Sequence, residues 1–438
     1  MQRLKILVGC TLLILAVFFL TLSATKPEPT SHAKTTFSAE NIEANKKKVD
    51  QKEVQRYKQQ QQELQVELRN YFKKAIAEGD IVGAGVSIVQ GDSIVISDGF
   101  GKRNTNMNDL VTGETVFRLG SLSKGFAGVL AANVKQEGKL AWTDKVIDYL
   151  PEFRLGDSRN TNQITLANIL SHTSGTPYHS FTNLVEAGLP MTTIAERFKE
   201  VVPISKPGLM YSYQNAMFAL CGEMMRKATG QKINTLLNNR FFKPLEMCNT
   251  TSDFEALAHE SNVALPHSKR GKGWRTLKLT DKYYNAIAAG GISSNAHDMG
   301  RWMRFLLGHN PDVLNKSALE EAFNPFVEIA GHSKYYQRWP GHVKSYYGFG
   351  WRIHKFVEDD DDTREKTIWH HGGSVNSYRN EIALYPEADL GICVLLNSHS
   401  RLASNVIPDL YEIVKDIYEP SFAQKHSLNH GTAAIELE

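Results

Sequence analysis

The sequence predicts an α/β (α+β) fold: an antiparallel β-sheet built from both chain ends, flanked by helices, with a mostly helical subdomain inserted between. Two observations carry this. β-rich runs gather at the two ends, Gly85 to Val89 and Ser93 to Ser97 early, then Tyr347 to Phe356, Thr367 to His370, Arg379 to Tyr385 and Gly391 to Leu396. Between about 121 and 310 the pattern is helical with long loops. Composition supplies the third: 438 residues, 42% hydrophobic and 22% charged, suffice for a sizeable core and exclude disorder throughout.

Taken in order, Arg3 and Lys5 precede an uncharged run from Ile6 to Leu22. Residues 1–24 are expected to be an export element, either a cleaved signal peptide or a retained membrane anchor. Leu7-Val8-Gly9-Cys10 also matches a lipoprotein cleavage box. In each case the basic flank stays inside and the body crosses the membrane, so the expected location is the cell envelope, periplasmic or otherwise extracytoplasmic. Residues 25–62 are polar, with Lys46-Lys47-Lys48 and Gln59 to Gln62, and read as a spacer, helical in part. Leu64, Leu68, Phe72 and Ile76 then recur at four-residue steps, so a helix with one apolar face opens the folded domain, 63–420, and Gly79 ends it. A Gly91-Asp92 turn joins the first two strands. The acidic run Glu358 to Asp362 reads as a solvated hairpin tip, Pro408 to Tyr418 as a closing helix, and 421–438 as a loose tail.

Several function classes are excluded early. Fifty basic against 47 acidic residues give a formal +3, which recommends no nucleic-acid partner. Cys10, Cys221, Cys248 and Cys393 form no CxxC or Cys/His cluster, so neither a structural zinc site nor a disulfide scaffold is expected. Cys221 and Cys393 read as small hydrophobes.

Three stretches carry chemistry. In Gly120-Ser121-Leu122-Ser123-Lys124 a serine stands three residues before a lysine where an apolar helical run begins. Positions i and i+3 share a helix face, so a lysine whose pKa is lowered by burial can accept the proton of Ser121 as its hydroxyl attacks. The helix N-terminus adds unpaired N–H groups suited to an oxyanion. Tyr211-Ser212-Tyr213-Gln214-Asn215 sets a phenol and an amide two residues apart, on one side of an extended chain. His370-His371-Gly372-Gly373-Ser374 lies on a late strand, where two glycines let a substrate backbone approach the edge. Each residue also has a purely structural reading: Ser121 as a cap, Tyr213 as core, Asn215 as a cap of the next helix, His371 as a hydrogen-bonded strand residue. His172 reads as fixing its loop.

In this order the three stretches resemble the active-site motifs of the serine β-lactamase-related hydrolases, which include class C β-lactamases, penicillin-binding carboxypeptidases, D-aminopeptidases and esterases. Leu170-Ser171-His172-Thr173-Ser174-Gly175, Ala289-Gly290-Gly291-Ile292-Ser293-Ser294 and Gly348-Phe349-Gly350-Trp351 extend the resemblance over about 64–420. It implies a β-lactamase/transpeptidase-like fold and an acyl-enzyme mechanism without metal or cofactor. Ser121 would be the nucleophile, Lys124 its activating partner and Tyr213 the proton relay. Asn215, His371, Gly372, Gly373 and Ser374 would bind substrate, with the Ser121 and Ser374 amides as oxyanion hole. The implied substrate is a small peptide, ester or β-lactam, of the kind derived from peptidoglycan. Where β-lactamases usually carry Lys-Thr-Gly or Lys-Ser-Gly, this sequence has His371-Gly372-Gly373, which points to peptidase or esterase activity ahead of efficient β-lactam hydrolysis. A histidine there carries charge only below its pKa, so carboxylate binding is expected to weaken as pH rises through about 6.5. The competing class is a catalytically silent penicillin-binding or sensor protein tethered at the membrane.

Overall fold

The computed structural model describes residues 39–271, 273–357 and 364–431. The chain divides into two compact units, 1–57 and 58–438. In the first, the described residues are all helical. Ile6 to Leu22 and the acidic run Glu358 to Asp362 lie outside the described residues. Among the described residues no helix is long and apolar enough to cross a membrane.

Among the described residues five helices exceed ten residues: α1 (Ala39–Ala77), α2 (Ser123–Gln136), α3 (Asn215–Thr229), α4 (Ala296–Leu306) and α5 (Val406–Gly431). The main sheet has eight strands: β1 (Gly83–Gln90), β2 (Ser93–Gly101), β3 (Val327–Glu328), β4 (His342–Tyr347), β5 (Arg352–Phe356), β6 (Lys366–Val375), β7 (Tyr378–Tyr385) and β8 (Leu390–Leu396). Their spatial order is β2-β1-β8-β7-β6-β5-β4-β3, every pair antiparallel. The first hairpin is thus docked on the last strand, Ala84 opposite Leu396 and Gln90 opposite Leu390. The sheet is the one expected from both chain ends.

Strand alternation separates two cores. On β8, Ile392, Val394 and Leu396 face the terminal helices, where Leu64, Leu68 and Phe72 of α1 meet Ile407, Leu410 and Val414 of α5. Cys393 and Leu395 face the inserted helices, where Phe126 of α2 stacks on Trp302 of α4 with centroids 4.0 Å apart. A strand buried on both faces reads as an unbroken apolar run, as Leu390 to Leu396 does. Each such fully buried side chain contributes about 1.5–3 kcal/mol.

Four local expectations are corrected. The run Tyr347 to Phe356 is two strands rather than one. Gly350 has φ +82° and a Cβ there would fall 2.1 Å from the Lys124 carbonyl oxygen, so Gly348 to Trp351 turn the chain against α2. His267–Arg270 and Gly273–Thr276 form a ribbon inside the helical region. Its residues, half of them exposed, lack the apolar alternation that betrays a strand. The helix expected from Leu64 extends back through the described residues to Ala39, where Ala, Glu, Lys and Gln favour helix without an apolar face. The tail expected from 421 begins as helix, since α5 runs to Gly431.

Candidate active site

Ser121 sits in a single 3₁₀ turn, Gly120–Leu122, immediately before α2. Gly120 makes this turn possible. Its φ is +56°, and a Cβ would lie 2.9 Å from the backbone of Ser374, so only glycine lets the serine turn rest against β6.

Lys124, one helical turn on, is fully buried. Its Nζ lies 2.8 Å from Asn215 Oδ1, 2.8 Å from the Ala289 carbonyl oxygen and 3.3 Å from Ser121 Oγ. Burial, then the nearby Arg352 cation, holds its pKa well below the usual 10.5. A neutral amine has two hydrogens and one lone pair. The two fixed acceptors take the hydrogens, which leaves the lone pair for Ser121. Tyr213 donates its O–H to Ser121 Oγ at 2.8 Å, and burial raises its own pKa, so it holds that proton. The serine oxygen accepts from Tyr213, and its proton is free to go to Lys124.

Asn215 opens α3 and is tied at both ends of its amide. Oδ1 accepts from Lys124, and Nδ2 donates to Tyr283 Oη at 3.1 Å. It still lines the cavity.

The third stretch lies on β6. Asn376 and Ser377, with φ of +46° and +67°, form the two-residue turn into β7. Such a turn makes Val375/Tyr378 and Gly373/Asn380 the mutually bonded pairs. The amides of Gly372 and Ser374 therefore point to the opposite side, where β5 pairs only as far as His370 and leaves the edge free. Ser374 and Gly372 line the cavity at this edge.

The His371 ring does not line it. The side chain is fully buried, Nε2 lies 2.9 Å from Tyr347 Oη and Nδ1 2.8 Å from the Gly372 carbonyl oxygen. Nδ1–H donates to that carbonyl, so Nε2 accepts from Tyr347. Burial, then Arg352 and Lys124, holds its pKa well below 6.5. The ring is a neutral strut, and the pH-dependent charge expected of it is not available near neutrality. His172 ties the other side: Nδ1 accepts the Gln214 amide at 3.1 Å and Nε2 meets Tyr347 Oη at 3.2 Å. Tyr347 thus bridges the loop that carries Tyr213 to the strand that carries Ser374.

The cavity has a volume of about 400 Å³, and its cations lie where the sequence showed none. Lys334, Arg352 and Arg379 line it. Arg352 Nε and Nη1 are buried without a hydrogen-bond partner, and its guanidinium carbon lies 4.8 Å from the Tyr336 ring centroid. Arg379 is paired with Glu381 at 2.7 Å. Sequence reasoning missed Arg352, Arg379 and Tyr347, which match no short pattern, and Tyr283, which with Asn285 repeats the Tyr-x-Asn pattern of Tyr213 and Asn215 but was given no role. Only the alternation of β5 hinted that Arg352 shares a face with His354.

Comparison with known proteins follows this geometry. A family model described as Beta-lactamase matches residues 68–412. Protein flp of Staphylococcus aureus (strain NCTC 8325 / PS 47) is 23% identical over 354 residues, covering 79% of this chain and 66% of its own length. An Aspergillus campestris protein named Unguisins hydrolase ungD' is 26% identical over 358 residues, covering 78% of this chain and 63% of its own. The chain thus spans just under two thirds of the length of these curated relatives. Among solved structures, an octameric penicillin-binding protein homologue from Pyrococcus abyssi shares the fold with a TM-score of 0.66 at 22% identity, over 79% of this chain and 77% of that one.

Proposed function

The chain belongs to the Beta-lactamase family, and from that premise we propose that it is a serine hydrolase that works through an acyl-enzyme on a small peptide or ester bearing a carboxylate. The observation that carries this reading is the hydroxyl of Ser121 held between the Tyr213 phenol at 2.8 Å and the buried Lys124 amine at 3.3 Å.

The proton balance closes. As Ser121 Oγ attacks the substrate carbonyl, its proton passes to Lys124, and the oxyanion meets the amides of Ser121 and Ser374. Tyr213 gives its proton to the departing nitrogen or oxygen, which leaves a phenolate near the new Lys124 ammonium. That phenolate takes a proton from the hydrolytic water. Collapse of the second tetrahedral intermediate then returns the proton from Lys124 to Ser121 Oγ.

The carboxylate preference rests on Arg352, which lines the cavity beside Arg379 and whose Nε and Nη1 are buried without a hydrogen-bond partner. A planar guanidinium suits a carboxylate bidentately. A terminal carboxylate of a peptide, including a peptidoglycan-derived one, fits this end of the site. The uncharged run Ile6 to Leu22 supports an envelope location for the whole.

The test is intact-mass spectrometry after treatment with a fluorophosphonate. One adduct on the unsubstituted protein and none on Ser121→Ala is expected, with activity on a panel of anionic and neutral esters and peptides lost by several powers of ten in that variant. A folded protein that takes no adduct from either a fluorophosphonate or a labelled penicillin would be the silent binding protein instead.

A further inference from the structure

Behind the cationic end of the cavity lies a line of buried polar side chains that the acyl-transfer chemistry does not use. Glu381 on β7 is fully buried. It receives Arg379 Nη2 at 2.7 Å, the Tyr335 O–H at 2.8 and 3.0 Å, and His370 Nε2 at 2.8 Å. His370 Nδ1 lies 3.0 Å from His354 Nε2, His354 Nδ1 lies 2.8 Å from Ser345 Oγ, and Ser345 Oγ lies 2.7 Å from His342 Nε2. His370, His354 and Ser345 are buried, whereas His342 is partly exposed.

A carboxylate only accepts, and this fixes every direction along the line. His370 must carry its proton on Nε2, so its Nδ1 accepts from His354 Nε2–H. His354 Nδ1 then accepts from the Ser345 hydroxyl, whose oxygen accepts from His342 Nε2–H. All donors point toward Glu381. The near end touches the catalytic edge: a Cβ on Gly372 would lie 2.7 Å from Tyr335 Oη and 2.9 Å from Glu381 Oε2, so glycine is what lets this pair rest against β6.

We propose that Glu381 determines the cavity's preference between anionic and neutral substrates, and that the imidazole line is the route by which its proton is exchanged with solvent. The proposal rests on the carboxylate reading given above. A proton bound by the His342 ring releases the Nε2 proton to Ser345 Oγ, whose own proton passes to His354 Nδ1. His354 Nε2 passes its proton to His370 Nδ1, and His370 Nε2 passes its own to Glu381 Oε2. One proton enters and one arrives, and each intermediate group ends neutral, the rings in the opposite tautomer. With the proton on, Glu381 no longer cancels Arg379, and two guanidiniums attract the ligand. With it off, one is neutralised.

The charged and titratable groups around Glu381 are Arg379 on its own strand, His370 on β6, Arg352 on β5, Tyr335 from the turn Tyr335–Arg338 and Cys393 on β8. Burial, opposed by Arg379, the Tyr335 hydrogen bond and Arg352, pushes its carboxyl up to about 7. Burial keeps the Tyr335 phenol and the Cys393 thiol protonated and His370 neutral, so none of them titrates with it near neutrality. Anions therefore bind more tightly below pH 7 and more weakly above it.

The test uses full-length Ser121→Ala protein, which binds without turnover, and the matched probes N-acetylalanine and N-acetylalaninamide, each in both hands, by calorimetry across neutral pH. The Kd of the acid is expected to rise on the order of ten-fold through pH 7, that of the amide to stay level, and Glu381→Gln to abolish the step. A step that survives in Glu381→Gln overturns the proposal. Should that variant not fold, difference infrared spectra of the unsubstituted protein decide: a protonated-carboxyl band that disappears near pH 7 supports the assignment, and its absence overturns it. For the route, His342→Ala is expected to slow the change in acid affinity after a pH jump, and an unchanged rate overturns that part. If N-acetylalanine binds at no pH, the carboxylate reading falls together with this proposal, whereas fluorophosphonate labelling of Ser121 reports on acyl transfer independently.

Discussion

Lys124 is the residue on which the proposed chemistry turns, because it is a base only when neutral. Its two hydrogens are committed to Asn215 and Ala289, and its pKa is held well below 10.5 by burial and by Arg352. For a neutral ester, kcat/KM should rise with pH along a limb whose midpoint lies far below 10.5, and Lys124→Arg, which cannot deprotonate, should lower the plateau by several powers of ten. A limb centred near the ordinary lysine value would contradict the assignment. Asn215 shares the burden: Asn215→Leu removes one acceptor from a buried amine, and the limb should move as the ammonium loses a partner, toward lower pH. At this scale the sequence was informative where chemistry is local. Ser121 and Lys124 share one helix face, and the Tyr213 stretch sits beside a helix start. Arg352 was not legible, since an arginine after a tryptophan on a short strand looks like any edge residue, and only tertiary packing turns it into the cavity. His371 was legible as a position and misread as a charge, because its burial and its tie to Tyr347, 24 residues away in the chain, come from tertiary packing.

Tyr347 joins elements that the chain keeps apart. It stands at the end of β4 and links the His172 loop with β6 through two imidazoles. Tyr347→Phe keeps the ring and removes the hydroxyl, so both histidines lose a buried partner. A loss of about 1–3 kcal/mol in urea unfolding is expected, together with a lower kcat, because Tyr213 and Ser374 are no longer held in one frame. Stability and kcat unchanged in this variant would mean that the bridge is incidental. The strands show what periodicity reveals. Gly391 to Leu396 and Arg379 to Tyr385 were legible as β-rich runs. The break inside Tyr347 to Phe356 was not, because its cause is the Lys124 carbonyl pressed against Gly350. The ribbon His267–Thr276 was hidden for the opposite reason, being polar on both faces.

For the molecule as a whole, five fully buried histidines among the described residues set the acid limit: His267, whose pKa burial lowers, and four that are held lower still. His172, His354, His370 and His371 all have pKa values held well below 6.5 by burial. A depressed pKa contributes stability above the unfolded value of 6.5 that is lost as pH falls below it, at up to about 1.4 kcal/mol per pH unit for each ring. Glu381 acts in the other direction, since its raised pKa stabilises progressively as pH falls from about 7 toward 4.5, and Asp298, also raised by burial, acts in the same sense, but these are two carboxyls against five rings. The urea midpoint should therefore drop steeply below pH 6.5, and a midpoint that is flat from 6.5 to 5 would show that these rings are solvated in solution. Topology adds a constraint in time. Because β1 is sandwiched between β2 and the last strand, with Ala84 opposite Leu396, the first hairpin has no partner until the ribosome has delivered nearly the whole chain. The polypeptide thus emerges as an unfinished sheet and cannot commit to its native state early, which suits the envelope location proposed above.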